Sequence, residues 1–181
     1  MDKEFIKKYS VEIPKLEFGE NREAFEIDSS FFDAFEHAPI ADGDVNVEAN
    51  FYRHKRHLEA RLLFQGEITL RCDRCLEPYP YPIDFKTLVI YSYDEDLDFG
   101  TDEVVVIDED NPILDLSRDL FDFVSLQVPL RRVPAPEIHT CPDHVLELLG
   151  LKESKTKQVA TIDEDDIDPR WAALKKLKDK L

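Results

Sequence analysis

Cys72 and Cys75 are two residues apart in the stretch Leu70-Arg71-Cys72-Asp73-Arg74-Cys75-Leu76-Glu77-Pro78. A Cys-x-x-Cys pair can supply half of a tetrahedral metal site or act as a dithiol redox couple. A distant segment, His139-Thr140-Cys141-Pro142-Asp143-His144, holds the remaining cysteine and two histidines. Cys72, Cys75, Cys141 and His144 together form a permissible zinc set, with His139 a competing ligand. A redox couple needs a cysteine of lowered pKa, typically at a helix N-terminus. Here Cys72 follows a strand pattern and prolines follow Cys75, so only the adjacent Arg71 and Arg74 favour a thiolate. The chain has no glycine-rich phosphate loop, no serine or cysteine nucleophile motif and no His-Glu-x-x-His pattern.

The elements that must place these thiols come from hydrophobic periodicity. Val45, Val47, Ala49 and Phe51 alternate with polar residues, as do Leu58, Ala60, Leu62 and Phe64. The second alternation keeps its phase across Gly66 through Ile68, Leu70 and Cys72. This predicts one long bent strand or two paired strands, with Gly66 at a bend or bulge and Cys72 on the apolar face. Tyr9–Phe18, broken at Pro14, reads as an edge strand. Ile83 to Tyr91 reads as a further strand, and Val104–Ile107 as a short buried one. Asp42-Gly43-Asp44 reads as a turn. Ser29 or Ser30 can cap a helix that ends before Pro39, and Asp115 can cap a helix that runs to Val128 before Pro129. A short helix over Val145–Leu149 closes at Gly150.

The fold class expected is α+β: a twisted, mostly antiparallel sheet, open or barrel-like, with two packing helices and a C-terminal amphipathic helix. The division expected is a 1–150 domain, an acidic linker at 151–168 and a basic helix at 169–181. In that helix Asp168 caps, Pro169 takes the first position, and Trp171, Leu174, Leu177 and Leu181 make one stripe.

The chain has 181 residues, 43% of them hydrophobic, with 40 Asp and Glu against 23 Lys and Arg, a net charge of −17. Such a charge argues against a broad phosphate-binding surface. No apolar run is long enough for a transmembrane helix, and the N-terminus lacks a signal peptide's apolar core. With three cysteines the chain is not a disulfide framework, so a reducing, cytoplasmic location is expected.

Three segments together resemble the YceD family, named for large ribosomal RNA subunit accumulation. They are Cys72-Asp73-Arg74-Cys75-Leu76-Glu77-Pro78, the Asp115 helix running into Val128-Pro129-Leu130, and Asp168-Pro169-Arg170-Trp171-Ala172-Ala173-Leu174 with Leu177. Many members carry further cysteines after the helix, where this chain has Cys141 with His144 nearby. The resemblance implies a non-enzymatic role in the synthesis, processing or accumulation of large-subunit ribosomal RNA, and it names no catalytic residue.

Charge sets how such a role is performed. One arrangement has local basic groups touching RNA or a partner: Arg53, Lys55 and Arg56, then Arg71 and Arg74, then Arg170, Trp171, Lys175, Lys176 and Lys178. The other, favoured by the charge, has the acidic body holding a basic ribosomal protein or pre-ribosomal particle and reaching ribosomal RNA indirectly. Neither involves a membrane or a small-molecule substrate. Two other classes stay open: a zinc- or thiol-dependent enzyme built on Cys72 and Cys75, and a structural interaction module with no RNA link.

Overall fold

The computed structural model describes residues 3–36, 38–40, 42–94, 104–108 and 110–151. The chain divides into two compact units, Met1–Cys141 and Pro142–Leu181. The first holds every strand found among the described residues: β1 (Ser10–Glu12), β2 (Gly19–Ile27), β3 (Asp42–Arg53), β4 (His57–Arg71), β5 (Pro78–Ser92), β6 (Val104–Val106) and β7 (Ile113–Asp115). Its helices are α1 (Lys3–Lys8), α2 (Ser29–Asp33) and α3 (Ser117–Leu126). In the second unit the described residues form α4 (Asp143–Leu148), closed by Gly150 in the left-handed region at φ 66°. No helix among the described residues is long and apolar enough to cross a membrane.

The architecture is α+β. Five strands lie in the order β2-β3-β4-β5-β6, antiparallel except for the last pair, and β1 pairs with β7 in a separate two-stranded sheet. The sheet is not closed into a barrel, so the barrel-like alternative falls. β4 is the spine. It is paired along nearly its whole length to β3 on one side and β5 on the other. Because the side-chain period is two, both registers put the same residues inward. Val45, Val47 and Phe51, then Leu58, Leu62 and Phe64, then Ile83 and Tyr91 are all buried. Also buried are Phe31 and Phe32 of α2, Leu120 and Val124 of α3, and Tyr9 and Leu116, which directly precede β1 and α3.

Gly66 resolves the alternative in the sequence in favour of one strand. It sits at φ 154° in the middle of β4, opposite Val45 and Ile83. A Cβ there would lie 2.1 Å from the Asp44 carbonyl oxygen. The strand passes through because glycine alone lets the neighbouring backbone approach so closely.

Several boundaries differ from expectation. Asp42-Gly43-Asp44 opens β3 instead of forming a turn. The edge strand expected over Tyr9–Phe18 is limited to Ser10–Glu12 and becomes a 3-10 turn over Ile13–Lys15, where Pro14 takes a first-turn position. Asp28 caps α2 through its side chain, accepting from the Phe31 N–H at 3.1 Å, in place of Ser29 or Ser30. Asp115 does accept from the Ser117 N–H at 2.9 Å, but α3 begins only at Ser117 and ends at Leu126, short of Val128. Among the described residues β6 ends the sheet, and its Val105 and Val106 are 38% and 49% exposed, so it is not a buried strand. The linker and basic helix expected at 151–168 and 169–181 lie outside the described residues, apart from Leu151.

Gly66→Ala is expected to lower the unfolding free energy by about 2–4 kcal/mol, the cost of a backbone clash in a strand paired on both sides. Urea midpoints of wild type and variant measure it, and an unchanged midpoint would show that β4 and β3 can separate without loss.

Candidate metal centre

β4 ends at Arg71, and the chain then turns through Cys72-Asp73-Arg74-Cys75 to enter β5 at Pro78. The turn is held by its own backbone. The Leu76 N–H donates to the Cys72 carbonyl at 2.9 Å, and the Cys72 N–H donates to the Glu77 carbonyl at 2.9 Å. Leu76 pays for this closure with a positive φ of 62°. The Arg74 N–H points at Cys72 Sγ, 3.4 Å away. N–H groups aimed at sulfur stabilise it as a thiolate, the form that binds metal.

The other half of the site arrives from the segment after α3. Asp73 and Arg132 form a reciprocal clasp. The Asp73 N–H donates to the Arg132 carbonyl at 2.9 Å, and the Arg132 N–H donates to Asp73 Oδ2 at 2.7 Å. The Arg132 guanidinium adds contacts to Asp73 Oδ1 at 3.1 and 3.0 Å. Beyond the clasp, the Ile138 and His139 N–H groups both donate to the Ala135 carbonyl, at 3.0 and 3.1 Å. This tight turn presents His139 and Cys141 to the thiol pair.

Cys72, Cys75, His139 and Cys141 each offer one ligand atom, and the four atoms lie within 4.8 Å of one another. Cys72 Sγ and Cys141 Sγ are 3.7 Å apart, and Cys75 Sγ is 3.0 Å from His139 Nε2. Four ligands on a tetrahedral zinc with bonds of about 2.3 Å to sulfur would hold their sulfurs about 3.8 Å apart. Three thiols and one imidazole are also a donor set that zinc takes in structural sites. The residues present therefore fit a tetrahedral, sulfur-rich metal. Cys72 and Cys141 are buried, while Cys75 and His139 are partly exposed.

The thiols differ in acidity. Burial pushes Cys72 up, but the N–H groups of Cys75 and Arg74, with the neighbouring sulfurs, outweigh it and leave its pKa below the ordinary 9.0. Burial, then contacts with Cys75 and Cys72, push Cys141 up to about 11. A site holding both a favoured thiolate and a disfavoured one suits a cation that would compensate all three charges.

His139 supplies the imidazole of this group. His144 lies in α4 of the second unit and is not a member of it. The remaining basic candidates are placed differently from one another. Arg53 donates to the Leu16 carbonyl at 2.6 Å and lies 4.8 Å over the Phe18 ring, so it ties the N-terminal segment to β3. Arg56 is paired with Asp94. Lys55 and Arg71 are exposed, and Arg74 partly so, with Arg71 and Arg74 flanking the thiol pair. Arg170, Trp171, Lys175, Lys176 and Lys178 lie outside the described residues. Asp73 and Arg132 were not among the candidates, because a contact across 59 residues leaves no local pattern.

A second polar group sits at the other end of the unit. The Tyr91 hydroxyl, on the buried face of β5, donates to Asp119 Oδ2 of α3 at 2.5 Å. Burial raises the Asp119 pKa, with Asp122 and Asp115 adding to the rise and the Tyr91 bond and Arg118 opposing it.

The family model described as large ribosomal RNA subunit accumulation protein YceD matches residues 60–178. The uncharacterized protein YlbN of Bacillus subtilis (strain 168) is 28% identical over 116 residues, which is 62% of this chain and 61% of the relative's length. No solved structure matches.

Asp119 also gives a pH dependence with a definite sign. A folded-state pKa above the unfolded one contributes stability at low pH that is lost as pH rises through the raised value. Asp119→Asn keeps an acceptor for Tyr91 and removes that loss. Its stability relative to wild type should therefore increase as pH rises above about 4, the ordinary aspartate value, read from urea midpoints. A difference independent of pH would mean that burial does not raise this carboxyl.

Proposed function

Because the chain belongs to the YceD family of large ribosomal RNA subunit accumulation proteins, we propose that it sustains large-subunit ribosomal RNA as a non-enzymatic cytoplasmic factor. It does so by holding a basic protein of the assembling particle. The carrying observation is the match over residues 60–178, which spans both the thiol turn and the terminal Trp171 segment. The route through a protein follows from charge. RNA binding gains its free energy from Lys and Arg that replace counterions on phosphate, and a body of net charge −17 opposes that exchange. The same charge draws in a basic protein and speeds the encounter.

One local feature supports a second reading, direct RNA contact at the thiol turn. Arg71 and Arg74 flank the thiol pair beside the exposed Leu76, and the exposed Leu130 and Arg131 directly precede Arg132, which is committed to Asp73. Crosslinking in cells followed by a wash in moderate salt separates the two readings. Ribosomal proteins recovered with the chain support the first. Ribosomal RNA recovered without ribosomal protein, and lost on Arg71→Glu/Arg74→Glu, supports the second. Normal amounts of mature large subunits in cells lacking the protein would overturn both.

In the same reading, Cys72, Cys75, His139 and Cys141 hold a structural zinc. The metal would supply a fixed joint and no reaction. The four protein ligands that the structure brings together fill a tetrahedral shell, with no position left for substrate. The pair also sits between two strands and not at a helix N-terminus, the usual setting of a redox dithiol. Elemental analysis of the purified chain should find about one zinc per molecule, and Cys75→Ser or His139→Ala should remove most of it. Chelation should lower the wild-type stability by about 4 kcal/mol relative to free zinc held roughly 1,000-fold above its Kd. The Cys72→Ser/Cys75→Ser variant should not respond to chelator. Equal stability of wild type with and without chelator would remove the metal from this account.

A further inference from the structure

The first unit contains two sheets that leave gaps where their edges meet. The gap between β1 and β2 is polar and lined by charges of both signs, with Lys15 bound to Glu12 at 2.8 Å and Arg22 and Glu23 beside them in the lining. The gap between β6 and β7 is different. It is a cavity of about 310 Å³ whose walls are Val105 and Ile107 on one side and Ile13, Ile113 and Leu114 on the other. Asp108, Asp115 and Asp119 line it, and Arg118 is the one cation among its described lining residues. Arg118 is drawn along its own helix toward Asp122, 3.8 Å away.

β6 has a strand on one side only among the described residues, since it ends the order β2-β3-β4-β5-β6. Its outward backbone groups are a template for another strand. Natural edges are blunted with lysine, proline or inward charges, yet β6 reads Val104-Val105-Val106 and the facing β7 carries Ile113 at 47% exposure. An apolar edge with no further strand on it among the described residues, beside three carboxylates, selects its occupant by charge: phosphate is repelled and a lysine or arginine side chain is attracted.

We propose that the β6–β7 gap receives an extended segment of a basic protein, paired along β6, with apolar side chains on Val105, Ile107 and Ile113 and basic side chains directed to Asp108, Asp115 and Asp119. This rests on the reading that the partner is a basic protein, and it adds where and in what conformation that partner is held. The segment gains main-chain hydrogen bonds from the edge and takes its specificity from alternate side chains.

The test uses the full chain and a synthetic peptide alternating valine with lysine over about ten residues, a strand-length segment. A second peptide carries glutamate for lysine, and a third carries proline for alternate valines. The first should bind saturably, with backbone NMR shifts concentrated at Val105, Ile107, Ile113 and Leu114. The other two should bind at least about tenfold more weakly. Asp108→Asn/Asp119→Asn should weaken the first peptide by about tenfold, and so should Ile113→Lys, an exposed position whose change leaves the core intact. Equal binding of the glutamate peptide, shifts elsewhere, or no loss in either variant would overturn the proposal. So would displacement of the peptide by a single-stranded RNA oligomer with shifts at the same residues. Ribosomal proteins still captured by Asp108→Asn/Asp119→Asn would sink the docking site and spare the basic-partner reading. Peptide docking in the gap, with no ribosomal protein captured by wild type, would do the reverse.

Discussion

The register of β4 is the constraint on which the rest depends. A strand paired on both sides cannot slip by one residue without turning its whole apolar face to water. Here a slip would expose Leu58, Leu62, Phe64, Ile68 and Leu70, each of which is at most 1% exposed. Gly66 adds a steric pin, because the Asp44 carbonyl occupies the space of its missing Cβ and no other residue of β4 can take that place. With register fixed at both ends, the position and facing of Cys72 at the end of the strand are fixed as well. Cys72 is thus placed by the core, and Cys75 by the backbone bonds of the turn that follows.

That dependence explains what could be read in the sequence. The alternation through Val45–Phe51 and Leu58–Cys72 carries its own phase, so β3, β4 and the inward facing of Cys72 were legible from side-chain type alone. The single strand through Gly66 was not, since a glycine permits a bend, a bulge or a close approach, and only the partner strand decides which. β2 shows why short alternations are missed. Its first residues, Gly19-Glu20-Asn21-Arg22-Glu23, have no apolar face, and the strand exists because β3 supplies nine partners in register. The β1–β7 pair was invisible for another reason: it joins three-residue strands about 100 residues apart in sequence.

The candidate site divides along the same line. Cys72 and Cys75 are a local motif and were found as one. The imidazole expected from the sequence is that of His144, with His139 a competing ligand, because both lie within three residues of Cys141 and spacing does not show which one reaches the sulfurs. What brings His139 to the sulfurs is the turn on the Ala135 carbonyl together with the Asp73–Arg132 clasp, a contact between two charged residues in segments with no periodicity. The basic candidates show what pattern leaves out. Arg53 holds the Leu16 carbonyl and Arg56 is paired with an aspartate. An arginine's pattern does not reveal which partners its donors already have.

Joining these halves has a thermodynamic consequence. Cys72 and Cys141 are separated by 69 residues, and the chain between them includes β5, β6, β7 and α3. A cross-link that closes a loop of this length in the unfolded chain removes conformational freedom worth on the order of 4 kcal/mol. A metal at the four ligands would act as such a cross-link, but a reversible one that requires the thiols to give up their protons. The segment from Leu130 to Cys141 has no helix or strand of its own, and it is held mainly by the clasp and the sulfurs. It is therefore the part of the first unit whose order would follow metal most closely. Arg131 and the fully exposed Leu130 sit at its start, so the surface beside the thiol turn would be shaped by the same ion that closes the loop.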